Sequence, residues 1–247
     1  MELWLELTLI ALIYVLSGLV KGVIGFALPL VSISLLSIIV PVEKALALNT
    51  FPLLVTNAWL AIQGGEVLTL LRRYRLMIVL LATGIFISAN IVVNIDKRTL
   101  LLVLGIIVIT LALLEHFRPQ VKLPDHHADW AGGLAGLCGG LVGGLASAMA
   151  APMAIYLAAR KVPKDEFVAT MGVVLTCGSL ALLAAFSSVK ILTVENAPLS
   201  LASVLPAVAG LMLGGRLRGA INQGMFQKLV LLGLILVGVN FIRRALL

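Results

Sequence analysis

Apolar residues run along this chain in ten blocks, at 3–20, 23–40, 45–62, 76–93, 100–114, 130–145, 146–159, 167–186, 197–217 and 225–242. Polar or Gly/Pro stretches punctuate them. A helix needs about 20 apolar residues to cross the hydrocarbon core of a bilayer. Most blocks approach that length. Block 146–159 is short, and Pro29 interrupts 23–40, so these two are expected as half-helices or re-entrant pieces.

The pattern repeats itself. GLVKGVIGFALP (18–29) resembles GLVGGLASAMAAP (140–152), with one extra residue in the second copy. PVEKALA (41–47) matches PKDEFVA (163–169), and LLVLGIIVI (101–109) matches LVLLGLILV (229–237). The one long polar stretch, EHFRPQVKLPDHHAD (115–129), divides the chain. The reading is a first membrane repeat over 1–115, a polar linker over 116–129 and a second repeat over 130–247. Each half holds five segments, with its broken pair first. Five is odd, so the second half enters the membrane from the opposite face. The expected fold is an all-α polytopic membrane protein, an inverted repeat of two five-segment halves with broken or re-entrant helices near the start of each.

Composition supports this class. Of 247 residues, 61% are hydrophobic and 12% charged, with a mean hydropathy of +1.15. A soluble domain carries about 25% charged residues. A soluble protein on a single anchor would show a polar remainder, and none is visible. The net charge of +7 comes from basic residues between apolar blocks. That is the positive-inside pattern. Without a basic patch interleaved with aromatics, nucleic acid is not an expected partner.

The charges test the inversion. Arg72, Arg73 and Arg75 follow the third segment of the first half, where the second half has Lys190 alone. Arg160, Lys161 and Lys164 precede the third segment of the second half, where the first half has Lys44 alone. Equivalent loops thus carry opposite bias. Placing the richer loops in the cytoplasm puts both termini outside, against which Arg243 and Arg244 weigh. The start MELWLELTLIALIYVL has no basic n-region or small-residue cleavage site, and is expected to stay as a membrane helix.

Little in the sequence suggests catalysis. Cys138 and Cys177 lie inside apolar blocks with no CxxC. His116, His126 and His127 fall in the linker; the pair at 126–127 could bind a metal with Asp125 or Asp129, but reads more simply as a solvated loop. No apolar block holds a carboxylate pair, GxSxG or P-loop, so neither enzyme, metal nor cofactor is expected. Pro41 and Pro163 are expected at the first helical position, and Glu43, Asp165 and Glu166 complement helix dipoles there. A proton-coupling role for Glu43 or Asp165 is the alternative.

The broken pairs are the better pointer. Irregular backbone at membrane depth is tolerated where it is buried in protein or lines a cavity. A half-helix starting at such a break presents N–H groups to an anion. The candidate binding residues are Lys21, Gly22, Gly25 and Pro29 in the first break. Gly143, Gly144, Ser147 and Pro152 are their counterparts in the second. Asn49, Thr50 and Asn57 of the third segment join them, with Thr176 of its equivalent. The glycines equally suit tight helix packing, and the amides and hydroxyls interhelical hydrogen bonds. Lys21 is either a charge in the pathway or an interfacial residue reaching water. Its counterpart, Gly143, shows that the repeat itself does not require the charge.

These residues resemble the TauE/SafE (TSUP) family of sulfite and organosulfonate exporters, whose repeated hallmark is similar to G-x-x-x-G-x-x-G-x-G/A followed by a proline. GLVKGVIGFALP carries it, while GLVGGLASAMAAP departs at the third glycine and by one inserted residue. The resemblance spans the whole chain. It implies a permease of the bacterial inner membrane, exporting a small anion such as sulfite, a sulfonate or another sulfur-containing anion. A passive channel for small anions or neutral solutes, and less readily a membrane-embedded enzyme or assembly subunit, are the alternatives. The partners expected are the anion and the bilayer, with monomer and homodimer both open.

Overall fold

The structure, a computed structural model, describes residues 3–24, 27–64, 67–117, 128–217 and 223–246. Twelve α-helices and no strand occur among them. They are α1 (Leu3–Ile24), α2 (Leu28–Ile39), α3 (Val42–Gly64), α4 (Val67–Arg73), α5 (Arg75–Asn94) and α6 (Lys97–Phe117). Then follow α7 (Ala128–Ala146), α8 (Ala150–Ala159), α9 (Lys164–Ser188), α10 (Ala197–Ala202), α11 (Val204–Leu217) and α12 (Gln223–Leu246). Among the described residues six stretches are long and apolar enough to cross a membrane: Trp4–Val23, Val42–Ile62, Arg75–Asn94, Lys97–Leu114, Glu166–Ser188 and Ala197–Leu217. The chain is an all-α polytopic membrane protein.

Several boundaries differ from the expected ones. The first break falls after Ile24, not at Lys21 and Gly22, because α1 keeps its helical turn through both residues. Lys21 sits in the last turn of α1, where a cation complements the negative end of the helix dipole. Pro29 does not interrupt a helix but lies at its first or second position, where no hydrogen bond is lost. Pro163 is the N-cap of α9 rather than its first helical residue. Block 197–217 is two helices joined at Ser203. Pro206 explains this, since it has no N–H for the Ala202 carbonyl one turn back. The linker residues 118–127, with His126 and His127, lie outside the described residues.

The helices form two compact units. The first contains Met1–Leu53, Ile95–His116 and Lys190–Leu247, and the second Leu54–Asn94 and Phe117–Val189. Each draws on both halves of the sequence. The first unit is built on α1 against α11, with α2 and α12 alongside. The second is built on α5 against α7, with α4, α8 and α9 alongside. In both, the first segment of one half therefore packs on the fourth segment of the other.

Glycine makes both pairings possible. A methyl at Gly18 would strike the Ala207 carbonyl, and one at Gly214 the Leu19 carbonyl. In the second unit the same holds for Gly136 against the Met77 carbonyl and Gly140 against that of Leu81. The contacts advance by four residues on each helix, so the paired helices run parallel with backbones in touch. Without a hydrophobic force between helices in lipid, such close packing is what holds them together.

Candidate functional site

In the first unit the break lies between α1 and α2. Lys21 precedes it and is buried, 3% exposed. Ala27 follows it in the left-handed region, with φ 81°, which strains a residue bearing a Cβ. No side chain caps the start of α2. Gly25 lies outside the described residues. Beyond Pro29, the Ser32 hydroxyl donates to Asn49 Oδ1 at 2.6 Å, and Asn49 Nδ2 donates to the Ala45 carbonyl at 3.0 Å. These bonds tie α2 to α3. The adjacent Thr50 is fully buried, and its hydroxyl has no hydrogen-bond partner among the described residues.

In the second unit the break lies between α7 and α8. Ser147 adopts φ 54° and is buried, with its hydroxyl also unpartnered among the described residues. No side chain caps α8, whose first turns contain Pro152. Gly143 is buried three residues before the end of α7, facing Met149 and Ile85. Both short helices thus begin the same way: a strained non-glycine residue, an uncapped first turn and a nearby proline. An uncapped helix start at a buried break gathers N–H groups with no side-chain acceptor.

The other candidates have structural partners. Gly22 packs on α11 and Gly144 on Ser88, where a Cβ would collide. Asn57 Nδ2 donates to Ser179 Oγ at 2.9 Å, joining α3 to α9 inside the second unit. The Thr176 hydroxyl donates to the Gly172 carbonyl one turn back, at 2.7 Å. Lys21, Gly22 and Pro29 thus flank one break, and Gly143, Gly144, Ser147 and Pro152 the other. Asn49 and Thr50 stand on the helix that braces the first.

Sequence reasoning missed two of the serines that complete these networks, Ser32 and Ser200. The need for a donor at Leu48 was readable, though not that Ser200 supplies it. Pro52 has no N–H, so the carbonyl of Leu48, one turn back in α3, loses its helical donor. The Ser200 hydroxyl of α10 supplies a donor at 2.9 Å and accepts the Phe51 N–H at 3.3 Å.

Against known proteins, the family model described as "Sulfite exporter TauE/SafE" matches residues 10–241 of the 247. No curated protein and no solved structure matches the chain.

Proposed function

We infer the function from one premise: this chain belongs to the sulfite exporter TauE/SafE family, whose members are membrane transporters and not enzymes. It is a secondary transporter that exports a small sulfur oxyanion, sulfite or a sulfonate, across the bacterial inner membrane. The inverted repeat is part of this reading, supported by the reciprocal exchange of first and fourth segments. So is the orientation, with both termini outside, supported by the loop charges.

The observation that carries the site is Ser147. It is a buried hydroxyl without a partner among the described residues, held at a strained angle before the uncapped start of α8. Backbone strain that persists in a buried site is held there by its surroundings, often for function. An oxyanion accepts hydrogen bonds from such a hydroxyl and from the helix N–H groups. In the first unit, Lys21 and the start of α2 offer an ammonium and a second set of N–H groups. Asn49 and Thr50 stand in the same unit as Lys21, and Asn57 and Thr176 in the same unit as Ser147, as the polar groups that would tune selectivity within each.

The test is efflux of labelled sulfite from proteoliposomes, with an organosulfonate and sulfate alongside. Ser147→Gly removes the hydroxyl and suits the left-handed angle. Losing a hydrogen bond to a charged group costs about 1.5–3 kcal/mol, so half-saturation should rise by roughly tenfold or more. Saturable flux with trans-stimulation identifies a carrier. Absence of any saturable sulfur-oxyanion flux would refute the function; an unchanged half-saturation in Ser147→Gly would refute the site.

A further inference from the structure

A cavity of about 350 Å³ opens within the first unit, where the last turns of α2 and α12 meet the first turns of α3 and α6. That volume is within the usual range of small-molecule sites, about 300–1,000 Å³. Three charges line it: Glu43, Lys97 and Arg244. They are not paired with one another, since the ion pairs among the described residues are Lys44–Glu6 and Arg73–Glu166. Charges of both signs therefore face one space without neutralising each other.

Arg244 is held in place. Pro41 has no N–H to give the Ser37 carbonyl at the end of α2, and Arg244 Nη1 donates to that carbonyl instead, at 2.7 Å. The guanidinium keeps further N–H groups for a ligand. Apart from Ser37, the remaining wall is apolar, including Leu101 and Ile38, the latter 61% exposed. The cavity also lies where the stretches Val42–Ile62 and Lys97–Leu114 begin, the depth of lipid headgroups.

We propose that this cavity binds a phosphatidylethanolamine-type phospholipid of the surrounding bilayer. The phosphodiester lies against Lys97 and Arg244, the primary ammonium against Glu43, and an acyl chain along Ile38 and Leu101. The mixture of charges selects this headgroup. A headgroup with only negative charge would face the Glu43 carboxylate. A choline headgroup has no N–H to donate to it. A small free anion would leave the apolar wall uncovered.

The experiment is native mass spectrometry of the delipidated full chain, titrated with phosphatidylethanolamine, phosphatidylglycerol or phosphatidylcholine, each with and without inorganic phosphate. Phosphatidylethanolamine should bind several-fold more tightly than either other lipid and resist phosphate. Lys97→Ala should weaken it roughly tenfold, as loss of a charge-assisted contact implies. Glu43→Gln should abolish the preference over phosphatidylcholine while lipid binding through Lys97 and Arg244 persists. Circular dichroism and monodispersity in detergent show that each variant is folded. Equal binding of the three lipids, tighter binding of phosphatidylglycerol, displacement by inorganic phosphate, or an unchanged preference in Glu43→Gln would each overturn the proposal.

Discussion

Removing the Ser200 hydroxyl should destabilise the first unit, and Pro52 sets the reason. In α3 the Leu48 carbonyl would normally accept the N–H of residue 52, but a proline stands there. Ser200 makes good the deficit at 2.9 Å and is itself fully buried. In Ser200→Ala the carbonyl is left in an apolar interior without that donor, and the Phe51 N–H loses an acceptor. An orphaned buried group costs about 1–3 kcal/mol. Interhelical hydrogen bonds in membranes average about 0.6 kcal/mol and reach about 1.7. The expected loss is therefore about 1–2 kcal/mol. Reversible unfolding in mixed detergent, followed by circular dichroism, measures it. The decisive comparison is a double-mutant cycle. Pro52→Ala returns an N–H to Leu48, so in that background Ser200→Ala should cost much less. Equal costs in the two backgrounds would refute the argument that Ser200 serves the carbonyl freed by Pro52.

Two neighbouring glycines of α11 should respond oppositely. A methyl at Gly214 meets the Leu19 carbonyl and Gly22, whereas one at Gly215 meets nothing within 4 Å. Gly214→Ala should force α1 and α11 apart and lower the unfolding midpoint, while Gly215→Ala should be neutral or stabilising by up to about 1 kcal/mol from helix propensity; similar midpoints would contradict the packing. Asp96 precedes α6 and accepts the Thr99 backbone N–H at 2.9 Å and its hydroxyl at 2.7 Å, which hold its carboxyl below the usual range. A lowered folded pKa means stability present above the unfolded value of about 4 and lost as pH falls through the folded one. Thermal melts of wild type and Asp96→Ala should therefore differ at neutral pH and converge on acidification, and a constant gap would exclude the carboxylate as the cause.

The sequence by itself determined the class of molecule, the number and length of most apolar helices, and both breaks. These depend on local composition: hydropathy sets span length, and a proline beside a cluster of small residues marked both breaks, although Pro52 and the glycine-rich run of α7 lie within continuous helices. It also exposed the duplicated motif, and with it the family. The tertiary structure decided what each polar or small residue touches. Gly22 and Gly144 are packed against other helices while Ser147 and Thr50 keep unpartnered hydroxyls among the described residues, although all four looked alike as small or polar residues near a break. Lys21 proved to lie in the last turn of α1 rather than in a loop, beside Gly22, which packs on α11. Ser200 meets Leu48 from 152 residues away, and Asn57 meets Ser179 from 122 away. No local pattern encodes such meetings, because they exist only once segments from opposite halves of the chain pack into the same unit.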